Sequence, residues 1–191
     1  MKNALVVALT AALAWASPAG AVPRPQVVDP AGDWVVAQGD VLSARLSTPR
    51  VGRRPILRVE LTLAAAPAPD VPQAYQVEFG FAGCDLMVVT RYWSGGVAAY
   101  SDESFVDASS CPDAGAVAVK AQLTDVPSRV DGATVVWDVP LVYGMRLGTR
   151  LTRLRAVTSS SGVTPVLGGR YYLYGPGGDS TAYGTDYTIG K

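Results

Sequence analysis

Aspartates near the two ends of the sequence are the residues best suited to bind an ion. Asp29 and Asp33 enclose a short Pro-Ala-Gly segment near the N-terminus, and Asp179 and Asp186 lie near the C-terminus. Calcium takes about six to eight oxygen ligands and tolerates irregular loops. Because the ends of a domain often lie close together, we expect these four side chains to form a structural calcium site. The alternative is that these segments are ordinary turns, in which Asp side chains accept hydrogen bonds from nearby backbone.

Two aromatic residues, Tyr92 and Trp93, precede the turn sequence Ser94-Gly95-Gly96. Aromatic rings combine an apolar face with a polar edge, and residues beside loops carry binding more often than strand centres do. We therefore predict Tyr92 and Trp93 as ligand-binding residues. The alternative is that they are strand residues packed into the core, since strands favour aromatic side chains.

The chain has two cysteines, Cys84 and Cys111. An even number of cysteines in an exported chain predicts a disulfide, which would stabilise the fold by roughly 3.5 kcal/mol in the chain-entropy model. A zinc site would need further ligands, and a nucleophilic cysteine would need a base such as histidine. We expect a Cys84–Cys111 disulfide.

The sequence contains no histidine, which removes the commonest general base and the usual catalytic triads. It also has no phosphate loop or dinucleotide-binding motif between a strand and a helix, so we expect no nucleotide cofactor. Hydrolysis of glycosides needs only two carboxylates, and Asp102 with Glu103, or Glu60 with Glu78, are formal candidates. Nothing in their spacing selects a pair, and we expect a protein that is not an enzyme.

The elements that must position these residues are strands. Apolar residues occupy every second position from Leu57 to Leu63 and from Tyr75 to Phe81, a pattern typical of half-buried strands. Segments rich in Pro and Gly separate the strands. About eight or nine short strands predict an all-β fold, an antiparallel β-sandwich, with a closed or partly open β-barrel as the alternative. The other predicted strands are residues 41–47, 84–93, 116–123, 134–139, 151–158, 170–174 and 181–189.

The N-terminus has the three parts of a secretory signal peptide. Lys2 is basic, an apolar run extends from Ala4 to Ala16, and the small residues Ala19-Gly20-Ala21 offer a cleavage site. We therefore predict a signal peptide over residues 1–21, a short lead over 22–28 and one β-sandwich domain over 29–191. The mature protein is expected to be secreted.

The charge balance and the hydropathy of the chain favour neither nucleic acid nor a lipid bilayer as a partner. Lys and Arg number 16, and Asp and Glu also number 16, whereas binding to nucleic acid usually requires an excess of basic residues. No segment after the signal is apolar for long enough to span a bilayer. We expect neither a nucleic-acid partner nor a membrane span in the mature chain.

Three segments together resemble a class of exported bacterial β-sandwich domains. They are Asp29 to Asp33, Gly132 to Leu141 followed by Gly148-Thr149, and the closing Asp186 to Gly190. Such domains are similar in outline to DOMON-like and family 9 carbohydrate-binding domains. The second segment also has a physical interpretation, in which Asp131-Gly132 forms a turn and a buried strand follows it.

The resemblance implies either a haem-binding or a sugar-binding sandwich. Haem-binding DOMON domains use methionine and histidine as axial ligands, and because this chain has no histidine, we expect no haem. Sugar-binding sandwiches present exposed aromatic rings, as predicted for Tyr92 and Trp93. The preferred hypothesis is a secreted, non-catalytic binding or accessory module for a cell-wall or environmental glycan. The alternatives are a structural or protein-interaction domain of the cell surface and, third, a hydrolase that uses carboxylates alone.

Overall fold

A computed structural model describes most of the chain. The described residues are 24–34, 36–68, 73–93, 103–107, 123–142, 144–160, 163–166, 170–173 and 178–191. The predicted signal peptide, Cys111 and residues 116–122 of the predicted strand 116–123 lie outside them, as do the side chains of Tyr92 and Trp93.

The described residues form fourteen β-strands. Several of them, at residues 41–47, 84–93, 134–140 and 150–160, match the sequence prediction to within two residues at each end. In chain order the strands are β1 (Val27–Val28), β2 (Val41–Ser47), β3 (Arg50–Val51), β4 (Arg54–Leu63), β5 (Gln73–Phe81), β6 (Cys84–Trp93), β7 (Glu103–Asp107), β8 (Leu123–Asp125), β9 (Ser128–Asp131), β10 (Thr134–Pro140), β11 (Arg150–Ser160), β12 (Val163–Val166), β13 (Arg170–Leu173) and β14 (Tyr187–Thr188).

The strands form two antiparallel sheets. The first sheet has the order β1-β2-β4-β10-β9, with β3 also paired to β4, and the second has the order β14-β11-β5-β6-β7-β8. Strands β12 and β13 form a separate hairpin. Because each sheet ends in an edge strand on both sides, neither closes on itself within the described residues. The predicted all-β sandwich is confirmed, and the barrel alternative is not.

Inward side chains of both sheets meet in one core. The apolar positions of the predicted alternation are buried at 8% exposure or less. They are Leu57, Val59, Leu61 and Leu63 on β4 and Tyr75, Val77, Phe79 and Phe81 on β5. On β10 the side chain of Trp137 is completely buried. The turn before β10 is also as predicted, because Gly132 has a φ of 57°, a value that glycine adopts readily.

The N-terminal and C-terminal segments close one side of the sandwich. Strand β1 pairs with β2 of the first sheet, while the backbone carbonyl of Gln26 accepts a hydrogen bond of 2.8 Å from the N–H of Thr185. The N–H of the preceding residue, Gly184, donates to Leu154 on β11 of the second sheet. The two chain ends therefore connect the two sheets.

The last predicted strand, residues 181–189, is wrong in extent. Only Tyr187–Thr188 forms a strand there, and a single bridge joins Ser180 to Val157. The residues between them run along the edge of the sandwich, where hydrogen bonds to two different elements replace one regular ladder. The described residues include no helix long and apolar enough to cross a membrane.

Candidate metal centre

The acidic residues near the N-terminus lie in a loop that connects β1 to β2. The loop begins at Asp29, whose N–H donates to the carbonyl of Leu42 at 3.0 Å, and it ends at Asp40, whose carbonyl accepts from Ala64 at 2.9 Å. One carboxylate oxygen of Asp40 accepts a hydrogen bond of 2.7 Å from the N–H of Gly32. Both ends of the loop are thus attached to the first sheet, and the Asp40 side chain fixes its middle.

Asp179 reaches the same place from the other end of the chain. Its backbone carbonyl accepts a hydrogen bond of 2.9 Å from Thr158 on β11, in the second sheet. Its carboxylate accepts one of 2.7 Å from the buried N–H of Val41 on β2, in the first sheet. Asp179 therefore connects the two sheets through its own backbone and side chain.

The carboxylates of Asp29, Asp33 and Asp179 converge. Each offers one oxygen, and these oxygens all lie within 4.8 Å of one another. Asp179 is buried at 7% exposure and Asp29 is partly buried, whereas Asp33 is exposed. We call these three residues together with Asp40 the acidic cluster.

Asp40 belongs to the acidic cluster because its carboxylate interacts with both N-terminal members. It is 2% exposed. Its charge acts on the carboxyl groups of Asp29 and Asp33, and its side chain also forms a hydrogen bond with that of Asp33. Among the described residues, one oxygen binds Gly32, while the other, Oδ1, is buried and has no hydrogen-bond partner, as is also the case for Oδ2 of Asp29. Buried polar atoms are nearly always hydrogen-bonded, so these two oxygens are positioned for a ligand.

The electrostatics of the cluster are those of uncompensated negative charge. Loss of hydration raises the pKa of Asp29, and the neighbouring carboxylates of Asp179, Asp33 and Asp40 raise it further. The pKa of Asp33 is raised in the same way, by loss of hydration first and then by Asp179 and Asp40. In the described part of the chain no Arg or Lys forms an ion pair with any of the four.

The structure does not bring Asp186, the fourth predicted ligand, to the acidic cluster. Its carboxylate instead accepts a hydrogen bond of 2.7 Å from Nε of Arg150. Asp186 directly precedes β14, which pairs with β11 at Arg150 and Leu151, and this pairing places its side chain beside the arginine. Asp40, and not Asp186, is the fourth carboxylate close enough to act on Asp29 and Asp33.

A tryptophan packs beside the acidic cluster. Trp34 follows Asp33 in the chain, and a Cβ atom added at Gly39 would lie 3.3 Å from Cδ1 and Nε1 of its indole. The hydroxyl of Thr158 donates to the carbonyl of Gly39, so this wall of the site also joins both sheets. The indole Nε1 of Trp34 is buried without a hydrogen-bond partner.

The described residues form no second site from the remaining predicted site residues. Tyr92 and Trp93 end β6, with their side chains outside the described set. Cys84 begins β6 and is buried at 2% exposure, while Cys111 lies outside the described residues, so the disulfide stays a prediction. Glu60 and Glu78, one formal pair for hydrolysis, each bind an arginine on the sheet surface.

No family model matches the chain, and no similar curated protein and no similar solved structure was found. The resemblance to DOMON-like and family 9 carbohydrate-binding domains therefore stays a prediction.

Proposed function

We propose that this protein is an exported, non-catalytic β-sandwich module that binds one calcium ion at the acidic cluster. The ion would be held by Asp29, Asp33, Asp40 and Asp179 and would join the terminal segments to both sheets. The observation that carries the proposal is the convergence of the Asp29, Asp33 and Asp179 carboxylates, with Asp40 beside them, and the lack of a cationic partner among the described residues.

The choice of calcium follows from the donor atoms and their spacing. All four side chains offer oxygen, the donor that hard cations prefer, and zinc sites instead favour nitrogen and sulfur. Two oxygens on opposite sides of a calcium ion lie about 4.8 Å apart, twice a bond length of about 2.4 Å, and the three converging oxygens lie within that limit. Magnesium demands a tighter octahedron, which an irregular loop supplies less readily.

A titration of the purified protein, residues 22–191, with calcium tests the site. We expect one ion per chain by isothermal titration calorimetry. Asp33→Asn should weaken binding about tenfold or more, because fewer charged ligands lower calcium affinity. Asp186→Asn is the matched control, since it removes a carboxylate of the same terminal segment that lies outside the cluster, and it should leave affinity unchanged. Absence of calcium binding, or equal effects of the two variants, would contradict the proposed site.

The ligand of the module is proposed from sequence. We propose a cell-wall or environmental glycan contacted by Tyr92 and Trp93, with a cell-surface protein as the alternative ligand. A glycan array and a cell-wall pull-down with calcium present test this. Loss of glycan binding in Tyr92→Ala or Trp93→Ala would support a glycan module. If instead no glycan binds and a protein partner is retained, the interaction domain is favoured.

The proposed export also calls for the Cys84–Cys111 disulfide. Mass spectrometry of the secreted protein under non-reducing conditions should find these two cysteines linked in one peptide pair. Free thiols at both positions would contradict the disulfide.

A further inference from the structure

We propose that calcium binding and folding are a single equilibrium in this protein, so that the closed sandwich forms only when the ion is bound. This coupling rests on the calcium site of the proposed function and adds to it the state of the chain without calcium. The apo chain would remain open, and the ion would act as the last structural element to be added.

The first support is the separation of the ligands along the chain. Asp179 lies 138 residues after Val41, the residue whose N–H its carboxylate accepts, and Asp29, Asp33 and Asp40 all belong to the loop before β2. A preformed site therefore does not exist in the unfolded chain, and binding energy at such a site becomes folding energy. The site is complete only after both sheets and both chain ends have come together.

The second support is the energetic penalty of the empty site. Folding without an ion gathers four carboxylates, of which Asp40 and Asp179 are almost completely buried. It also leaves Oδ1 of Asp40 and Oδ2 of Asp29 buried without a partner. Buried charges that lack a partner destabilise the folded state strongly.

The third support is what the cluster connects. Asp179 and Thr158 anchor the C-terminal segment to β11, and the N-terminal loop is anchored to β2. Repulsion inside the cluster pushes these two anchors apart, and with them the two sheets. The loss of the ion therefore acts on the closure of the whole sandwich rather than on one surface loop.

A physiological consequence follows for an exported chain. Calcium-binding modules outside the cell typically have dissociation constants of about 10⁻⁴ to 10⁻³ M, far weaker than those of cytosolic calcium buffers and sensors. A chain with this coupling would stay open where calcium is scarce, a state that suits passage across a membrane. It would close after export, when calcium fills the acidic cluster.

Asp40→Asn separates this coupling from an ordinary structural role of the carboxylate. Asparagine keeps an oxygen that can accept the hydrogen bond from the N–H of Gly32, but it removes one buried negative charge. If charge repulsion keeps the apo chain open, this variant should bind calcium about tenfold or more weakly and yet be more folded in EDTA than the wild type. A purely structural role of Asp40 predicts no gain of folding in EDTA.

The experiment compares three forms of residues 22–191, namely the wild type, Asp40→Asn and Asp186→Asn. Each is measured in EDTA and at calcium concentrations about 10 to 1000 times the dissociation constant. Folding is followed by near-UV circular dichroism, in which the buried Trp137 contributes in the closed sandwich. Ion binding is measured separately, by luminescence of terbium excited through Trp34, which follows the ligand Asp33. Asp186→Asn should behave as the wild type does in both measurements.

The outcomes distinguish the two proposals. We expect the wild type to lack a native near-UV spectrum in EDTA and to gain it on addition of calcium, and Asp40→Asn to recover part of that spectrum in EDTA. Ion binding together with a native wild-type spectrum in EDTA would overturn the coupling and leave the calcium site standing. Absence of both terbium and calcium binding would overturn the proposed function and the coupling with it.

Discussion

Replacing Asp179 by asparagine and by alanine separates the two roles of its side chain. The carboxylate accepts a hydrogen bond of 2.7 Å from the N–H of Val41, and it also carries a charge of the acidic cluster. Asparagine removes the charge and retains an acceptor, whereas alanine removes both. The difference in stability between the two variants therefore reports mainly the hydrogen bond to Val41.

The magnitude follows from burial. Val41 is completely buried and Asp179 is 7% exposed, so in Asp179→Ala no bulk water reaches the freed N–H. Leaving a buried donor without a partner costs about 1–3 kcal/mol. For a domain of this size each kcal/mol shifts the melting temperature by about 2–4 °C. We expect Asp179→Ala to melt roughly 2–12 °C below Asp179→Asn.

The assay is urea and thermal unfolding of both variants in calcium that saturates each of them, with amide hydrogen exchange of Val41 as a local readout. Asp179→Asn should keep this amide protected, and Asp179→Ala should speed its exchange, because a less stable fold opens to solvent more often. Equal stability of the two variants, with equal protection of Val41, would refute the assigned role of the side chain in joining the sheets.

Three further predictions test the closed edge, the core and the site. Gly184→Ala should destabilise the fold by about 1–3 kcal/mol in urea unfolding, because a Cβ there would lie 2.1 Å from the carbonyl oxygen of Gln26; unchanged stability would mean that the edge is open. Trp137→Ala should destabilise by about 3–5 kcal/mol, since Trp137 is fully buried in β10, and a much smaller effect would argue against its place in the core. Calcium affinity, measured by calorimetry, should begin to fall at a pH above the ordinary Asp value, because the raised pKa values of Asp29 and Asp33 let protons compete earlier; constant affinity down to about pH 4 would contradict this.

The alternation of side chains predicted most of the core, but it did not predict the change of register in β11. Leu151 is buried, and so are Leu154 and Ala156, which means that the inward side switches from odd to even positions. A bulge between Thr152 and Arg155 inserts the extra residue, and Arg153 adopts a φ of 53°. Bulges depend on the partner strand as well as on local sequence, so a pattern read along one strand does not locate them.

The candidate site was predicted only in part. The rule that chain ends lie close together brought Asp29, Asp33 and Asp179 into one hypothesis, and the structure places them together. The same rule does not distinguish Asp179 from Asp186, because both belong to the final segment. What separates them is register, since the pairing of β14 with β11 sets Asp186 beside Arg150. The rule also covers Asp40, which follows the N-terminal pair closely in the sequence.

The carboxylates on the sheet surfaces are compensated differently from those of the acidic cluster. An acidic residue on a sheet surface can be paired with a basic residue directly opposite on the next strand. Three such pairs occur at matched register positions, Arg45 with Glu60, Arg58 with Asp138, and Arg155 with Glu78.

Loop residues have no opposite position of this kind. The acidic cluster is assembled from one loop and one irregular terminal segment, so no ladder fixes an arginine across from Asp29, Asp33 or Asp40. A long cationic side chain brought there would also have to lose its hydration beside the buried Asp179. A calcium ion would neutralise several carboxylates at once, and it would bring no side chain that has to be ordered. Among the described residues, charge compensation thus follows secondary structure: arginines pair with carboxylates where strands pair, and the proposed calcium ion would take that role in the acidic cluster.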